Sequence, residues 1–248
     1  GLDEISINDS QTIINHLPIS NYFSLYKLIV TGESGKLSKY FKCNFTKTYI
    51  LSGFTLSESK EYLSKFISEQ DIISEIAKTS NGNPGYLSSI KRMINSGLSP
   101  QAVVMQLPDN LPKALLNEWN HANITDVNLL KVLCLVANEC SPYTVQQISC
   151  IFDVDEAFIL QEFTQHKFIL INQGVITFIS DAFRRFVENQ ISYLKNEVYD
   201  QLIGYLSVNP YSDISLDSLP QIYYVKEQYI DLLSYLSDEV LYQVVSKA

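Results

Sequence analysis

The stretch FILINQGVITFI, residues 168–179, decides how the second half of the chain is read. Two apolar runs, Phe168–Ile171 and Val175–Ile179, flank Asn172-Gln173-Gly174. Short runs rich in Ile, Val and Phe, parted by a three-residue link containing glycine, predict an antiparallel hairpin. Upstream the period changes. Asp126 stands where a helix cap is needed, and Leu129, Leu130, Val132, Leu133 and Val136 follow at helical spacing. Thr144–Ile151 predicts a second, short helix after the Ser141-Pro142 turn, and Glu156–Gln165 a third. Downstream, Asp181–Leu194 reads as helix. Residues 197–248 read as wholly helical, with Tyr and Leu recurring as in arrays of helical pairs.

Three helices and then a hairpin is the order of a winged helix. In winged helices that bind DNA, the third helix enters the major groove and carries Lys, Arg, Asn or Gln. Here that segment carries Asp153, Asp155, Glu156 and Glu162 and no cation, so duplex phosphates would repel it. Arg184-Arg185 is the only basic pair nearby and reads as a solvated helix face. The winged helix is therefore expected to pack and switch, without direct DNA binding.

The first half has a different texture. Leu28-Ile29-Val30 and Thr48–Leu51 are short apolar runs that suit buried parallel strands, and the roughly 23 residues from Ile5 to Lys27 are long enough for a helical crossover into the first. Thr55-x-x-Glu58 reads as a capping box, with Leu56, Leu63, Phe66 and Ile67 on one helical face. Asp71 opens a helix bearing Ile72, Ile73, Ile76 and Ala77, which Asn81-Gly82 stops. Tyr86–Asn95 is the next, with Leu87, Ile90 and Ile94 inward. The stretch LPDNLP, residues 107–112, places two prolines four apart and interrupts helix on both sides. The expected organisation is an α/β remnant of a parallel-sheet fold at 1–54, a helical segment at 55–112, the winged helix at 113–194, and a helical, repeat-like segment at 195–248.

Charge steps at the same proline pair. The net charge is −9. Residues 1–112 hold ten basic and ten acidic side chains, whereas 113–248 hold eight and seventeen. The excess lies wholly in the second part, which disfavours nucleic acid as a partner. The 248 residues are 46% hydrophobic, ample for packed cores. No apolar run approaches the roughly 20 residues a membrane span needs. Cys43, Cys134, Cys140 and Cys150 form no CxxC pattern, which speaks against zinc, and are expected to be buried, reduced thiols. His16, His121 and His166 have no nucleophile at a telling spacing and read as structural. Trp119, with Leu115 and Leu116, reads as core. Tyr223, Tyr224 and Tyr229 read as helix-packing residues, a partner-binding groove being the sharper alternative.

Three segments could carry chemistry. Gly1-Leu2-Asp3-Glu4-Ile5 ends in paired acids, of which one can hold Mg²⁺ and the next can orient a water; such acids are also ordinary first-turn residues. Gly32-Glu33-Ser34-Gly35-Lys36 lacks the first glycine and the final hydroxyl of a phosphate loop, and reads as a strand-to-loop turn. Asn81–Leu87 reads locally as a helix stop followed by a helix start with Pro84 near its first position.

Taken in order, these parts resemble the STAND class of P-loop ATPases, the NACHT and NB-ARC relatives of AAA+ proteins. Gly1–Ile5 is similar to the tail of the Walker B motif, with Asp3 and Glu4 at the catalytic positions and Asp3 beside the metal. Lys27–Glu33 resembles the sensor-1 strand, matching at Thr31 and Gly32, with Glu33 in place of arginine. Gly82-Asn83-Pro84 resembles the lid motif whose proline packs on adenine. Phe178–Asp181 looks like the winged-helix F-x-H-D motif, with Ser180 in place of histidine beside Asp181. Leu219–Tyr223 and Ile230–Leu236 are similar to the arm helices that precede sensor repeats.

The resemblance implies a cytoplasmic, nucleotide-regulated switch, in which ADP holds a closed monomer and ATP with Mg²⁺ licenses homo-oligomers. An N-terminal effector and a C-terminal sensor would act in cis. The chain begins at Gly1 and reads as cut from a larger protein. No Walker A is present, so this piece alone is expected to be inactive. A composition rich in Ile, Asn, Lys and Tyr fits a bacterial defence setting. The rivals are a winged-helix transcription regulator and a non-catalytic helical scaffold.

Overall fold

The computed structural model describes residues 51–138, 142–237, 239–241 and 243. The parallel-sheet remnant at 1–54 falls almost wholly outside the described residues; Leu51, the one described residue of its expected buried strands, is in no strand and is 96% exposed. What is described is helical, with one two-stranded antiparallel ribbon and, among the described residues, no parallel strand pair.

Side-chain caps set the first helices. α1 (Leu56–Ser64) starts at the expected box: Glu58 N–H donates to Thr55 Oγ1 at 3.2 Å, and Thr55 N–H donates to Glu58 Oε2 at 2.7 Å. Two orphan donors are thereby satisfied reciprocally. Its apolar face is narrower than the sequence suggests: Leu63 and Ile67 are buried, but Leu56 is exposed. α2 (Gln70–Thr79) buries Ile73, Ile76 and Ala77. It ends in two left-handed residues, Asn81 (φ 45°) and Gly82 (φ 72°). Asn83 then caps α3 (Pro84–Asn95), accepting from Tyr86 N–H at 3.0 Å. α4 (Pro100–Met105) and α5 (Leu111–Ala122) each carry proline in the first turn behind a Ser99 or Asn110 cap, where the missing N–H costs nothing. One core unites these helices, built on Leu63, Ile76, Tyr86, Leu87, Ile90 and Ala114.

A second core begins one residue later, at Leu115. α5 therefore belongs to both, and the cores meet inside a helix a few residues past the Pro108–Pro112 step. At the centre of the second core lies α6 (Val127–Asn138), apolar nearly all round and buried from Leu129 to Leu135 except Leu130. Asp126 Oδ1 caps it, accepting from Asn128 and Leu129. α7 (Val145–Phe152) and α8 (Glu156–Gln165) follow. Then come β1 (Ile169–Asn172) and β2 (Val175–Phe178), paired from Ile169↔Phe178 to Asn172↔Val175.

The hairpin link is two residues, not the three expected. Asn172 pairs in the ladder, and Gln173 (φ 50°) and Gly174 (φ 78°) turn the chain. Positive φ at both central residues is the type I′ pattern, whose twist matches that of the strands. Ile169 and Ile176 face the core, while Leu170 and Thr177 face out. A third segment joins the ribbon: Thr144 bridges Val175, and Val145 N–H donates to Gly174 O at 2.7 Å.

α9 (Asp181–Gln190) gives way to one 3₁₀ turn at Ser192–Leu194, then α10 (Lys195–Leu206), α11 (Asp213–Val225) and α12 (Tyr229–Tyr235). The tail is thus a series of helices parted by turns at 207–212 and 226–228. α10 and α11 bury Val198, Leu202, Leu219 and Ile222 in the second core. Lys131 of α6 pairs with Glu197 of α10 at 2.6 Å. Cys134 is buried as expected, but Cys150 is exposed. Arg184, expected on a solvated face, donates to Ala137 O at 2.5 Å and so caps the end of α6. Among the described residues, no helix is long and apolar enough to cross a membrane.

Two glycines separate backbone need from mere tolerance. A Cβ on Gly82 would lie 2.0 Å from Phe54 O, whereas one on exposed Gly204, inside α10, meets nothing within 4 Å. Gly82→Ala is expected to cost about 1–3 kcal/mol, and Gly204→Ala to add about 0.5–1 kcal/mol. Urea unfolding of the two variants checks both signs.

Candidate functional site

The residues singled out in the sequence divide into three groups. Asp3, Glu4 and Thr31 lie outside the described residues. Gly82 and Pro84 form a tight corner. Phe54 N–H donates to Gly82 O at 2.8 Å, and the Gly82 Cα faces the Phe54 backbone. The close approach of two backbones is why glycine stands there. Pro84 is the exposed first residue of α3. Ser180 and Asp181 open α9. Ser180 Oγ accepts from Phe183 N–H at 3.4 Å, so its hydroxyl hydrogen is left to donate elsewhere. Asp181 binds Arg184 at 2.8 Å and Arg185 at 2.7 Å. Partial burial pushes its carboxyl upward, but the hydrogen bonds and charges of the two arginines outweigh that and hold it below the ordinary range. The second corner also reaches outward, through Arg184 to Ala137 O at the end of α6.

What connects the two corners is a pair the sequence reading did not single out. α3 runs from Pro84 to Arg92, two turns along. Arg92 Nε donates to Glu118 Oε1 at 2.6 Å and Nη2 to Oε2 at 2.9 Å. Ser89 Oγ donates to Glu118 Oε2 at 2.8 Å, and Arg92 Nη1 to Ser88 Oγ at 2.9 Å. Both charged residues are buried, 7% and 4% exposed. A bidentate pair with further hydrogen bonds to Ser88 and Ser89 is a form in which buried charge is tolerated. The same guanidinium lies 5.8 Å from the ring centre of Phe183, within cation–π range. Phe183 is the third residue of α9. One side chain thus touches α5, which both cores share, and the helix that Ser180-Asp181 begins.

Beside this pair is a cleft of about 20 Å³, room for a single water. Glu118, His121, His166 and Phe168 are among its lining residues. His166 stacks on Phe168 at 5.4 Å, and Phe168 on Phe183 at 4.5 Å. Burial lowers the His166 pKa from 6.5, against a smaller upward pull from Glu162. Trp119 closes on Phe168 at 6.4 Å. Glu118 has both oxygens engaged, by Arg92 and by the buried Ser89 hydroxyl.

Among the described residues, no cluster of three or more His, Cys, Asp or Glu could hold a metal. No protein family, curated protein or solved structure compared with the chain matches it.

Spacing hid Arg92 and Glu118 from the sequence reading. They are 26 residues apart, and each passes for an ordinary surface charge. A signal was present: Glu118 is four residues after buried Ala114 and three after buried Leu115, so it falls on the apolar stripe of α5.

Removing one partner strands the other charge. Glu118→Ala and Arg92→Ala are each expected to cost about 3–5 kcal/mol, while Arg92→Met combined with Glu118→Leu recovers most of that loss. Chemical denaturation of the three variants makes the comparison. His166 yields a pH signature. Its folded pKa is depressed, so the unfolded chain binds more protons. Its contribution is present above pH 6.5 and is lost as pH falls through the folded value. A thermal melt series from pH 7.5 to 5 should fall more steeply for the native chain than for His166→Phe.

Proposed function

We propose that this chain is the regulatory part of a STAND-class signalling ATPase, from the end of its nucleotide fold through a helical lid, a winged helix and an arm. In this reading α6, α7, α8 and the ribbon are the winged helix, with the Thr144–Val175 bridge as its minimal third strand. α1–α4 are the lid, α5 and α9 flank the winged helix within residues 113–194, and α10–α12 are the arm. The observation that carries the reading is the Arg92 link. The two described motifs of the resemblance, Gly82–Pro84 and Ser180–Asp181, each begin a helix, and those helices meet through Arg92 and Phe183. A ligand touching both helix starts would therefore bias one shared junction, which is the physical requirement of a switch.

The described residues fit an adenine nucleotide unevenly. Pro84 offers an exposed ring for a base, and Ser180 a free hydroxyl hydrogen for a phosphate. Asp181 would repel phosphate; its role is to hold Arg184 and Arg185 beside the helix start. Mg²⁺ supplies charge neutralisation at the phosphates when bound. Asp3 would hold its water shell, Glu4 would orient the attacking water, and Thr31 would lie beside them. Oligomerisation, an effector and a sensor in cis, and a cytoplasmic defence role belong to the same reading.

The test uses the full-length protein. ADP is expected to bind measurably by calorimetry. Phosphate release from ATP is expected to require Mg²⁺ and to fall about 10²-fold or more in Glu4→Gln with ADP affinity retained. Absence of both nucleotide binding and turnover would sink the reading.

A further inference from the structure

A surface at the opposite end of the chain is independent of any nucleotide. α11 ends and α12 begins at an elbow through Glu227 (φ 58°). Tyr224 and Tyr229 meet across it, ring centres 6.2 Å apart. Around them lie Val225, Ile230 and Leu233. The exposures are 64% for Tyr224, 53% for Val225, 51% for Tyr229, 81% for Ile230 and 72% for Leu233. α12 has no buried residue. Its inner side leans on α11 through Tyr235, whose ring lies 6.2 Å from Tyr223 and whose hydroxyl donates to Pro210 O at 2.7 Å. Its outer side carries Tyr229, Ile230 and Leu233 beside Asp231 and Ser234. Large exposed apolar side chains gathered in this way mark interaction sites.

Charge identifies the occupant. Asp217 on α11, Glu227 in the elbow and Asp231 on α12 are all exposed, and none takes part in a salt bridge among the described residues. The cation of the elbow, Lys226, is drawn away to Asp200 of α10 at 2.6 Å. The patch is therefore apolar at the centre, tyrosine-rich and anionic at the rim. Two copies of it would set like charges against each other, a juxtaposition that disfavours pairing. An amphipathic helix with an apolar stripe flanked by Lys or Arg satisfies both parts. Its stripe covers the Tyr224–Leu233 face, and its cations meet the three carboxylates. Tyrosine suits such a centre because it buries a large ring while its hydroxyl stays at the wet rim. We infer that the α11–α12 elbow is a docking site for a basic amphipathic helix of a partner protein.

The experiment titrates the full chain with two synthetic 18-residue helices of identical leucine stripe, one flanked by lysine and one by glutamate, at low and high salt. The lysine peptide is expected to bind, to weaken as salt rises, and to protect backbone amides of residues 224–236 from hydrogen exchange. Leu233→Asp is expected to weaken it tenfold or more. Glu227→Lys combined with Asp231→Lys is expected to invert the preference between the peptides; these exposed positions leave the fold intact. Equal binding of both peptides, protection elsewhere, or indifference to both variants would overturn the assignment. So would self-association of the native chain abolished by Leu233→Asp, which would give the face to a second copy.

Discussion

The pairing of Arg92 with Glu118 is the constraint on which the described structure turns. Two buried charges are tolerable only if they are paired and hydrogen-bonded, and here the partners come from α3 and α5 together. The pair therefore dictates how those helices face each other. Because α5 ends the first core and begins the second, it also dictates how one core is carried by the next. An apolar contact at this place would hold the helices but would tolerate sliding; a bidentate fork does not. The face of Phe183 beneath the guanidinium extends the same constraint to α9.

The sequence disclosed what is local. Thr55 with Glu58, Asp126, and Pro84 at the head of a helix are statements about three or four consecutive residues, and the caps stand where those residues require. α8 runs from Glu156 to Gln165 as its periodicity says. The hairpin was legible as a hairpin but not to its last residue. Asn172 has the chemistry of a turn, yet it pairs with Val175, and Gln173 accepts the left-handed backbone that asparagine adopts more readily. Long-range facts were illegible. Nothing within a few residues of Arg184 announces Ala137 O as its partner, and nothing near Tyr224 shows that its neighbours leave it uncovered. Cys150 reads by type as a small buried residue, yet the helical period sets it opposite the Val145, Ile148 and Ile151 stripe of α7, and it faces water.

The candidate site follows the same division. Gly82 and Pro84 were found because glycine and proline carry backbone information in themselves. The acids at Asp3 and Glu4 gain meaning only from what lies beside them in space. The charge asymmetry was legible in full, since composition needs no fold. It accounts for two separate features: the anionic third helix of the proposed winged helix and the anionic rim around the Tyr224–Leu233 face.

The two-residue turn at Gln173–Gly174 has one more implication. The ribbon is fastened at both ends, by Val145 on Gly174 O and by Ile179 N–H on Phe168 O at 3.0 Å. A link this short stores no slack. Lengthening or shortening either strand by one residue would shift the register, turn Ile176 to solvent and bring Thr177 to the core. The wing can therefore accept exchanges of side chain on its outer face across evolutionary time, but insertions and deletions should be confined to loops elsewhere in the chain.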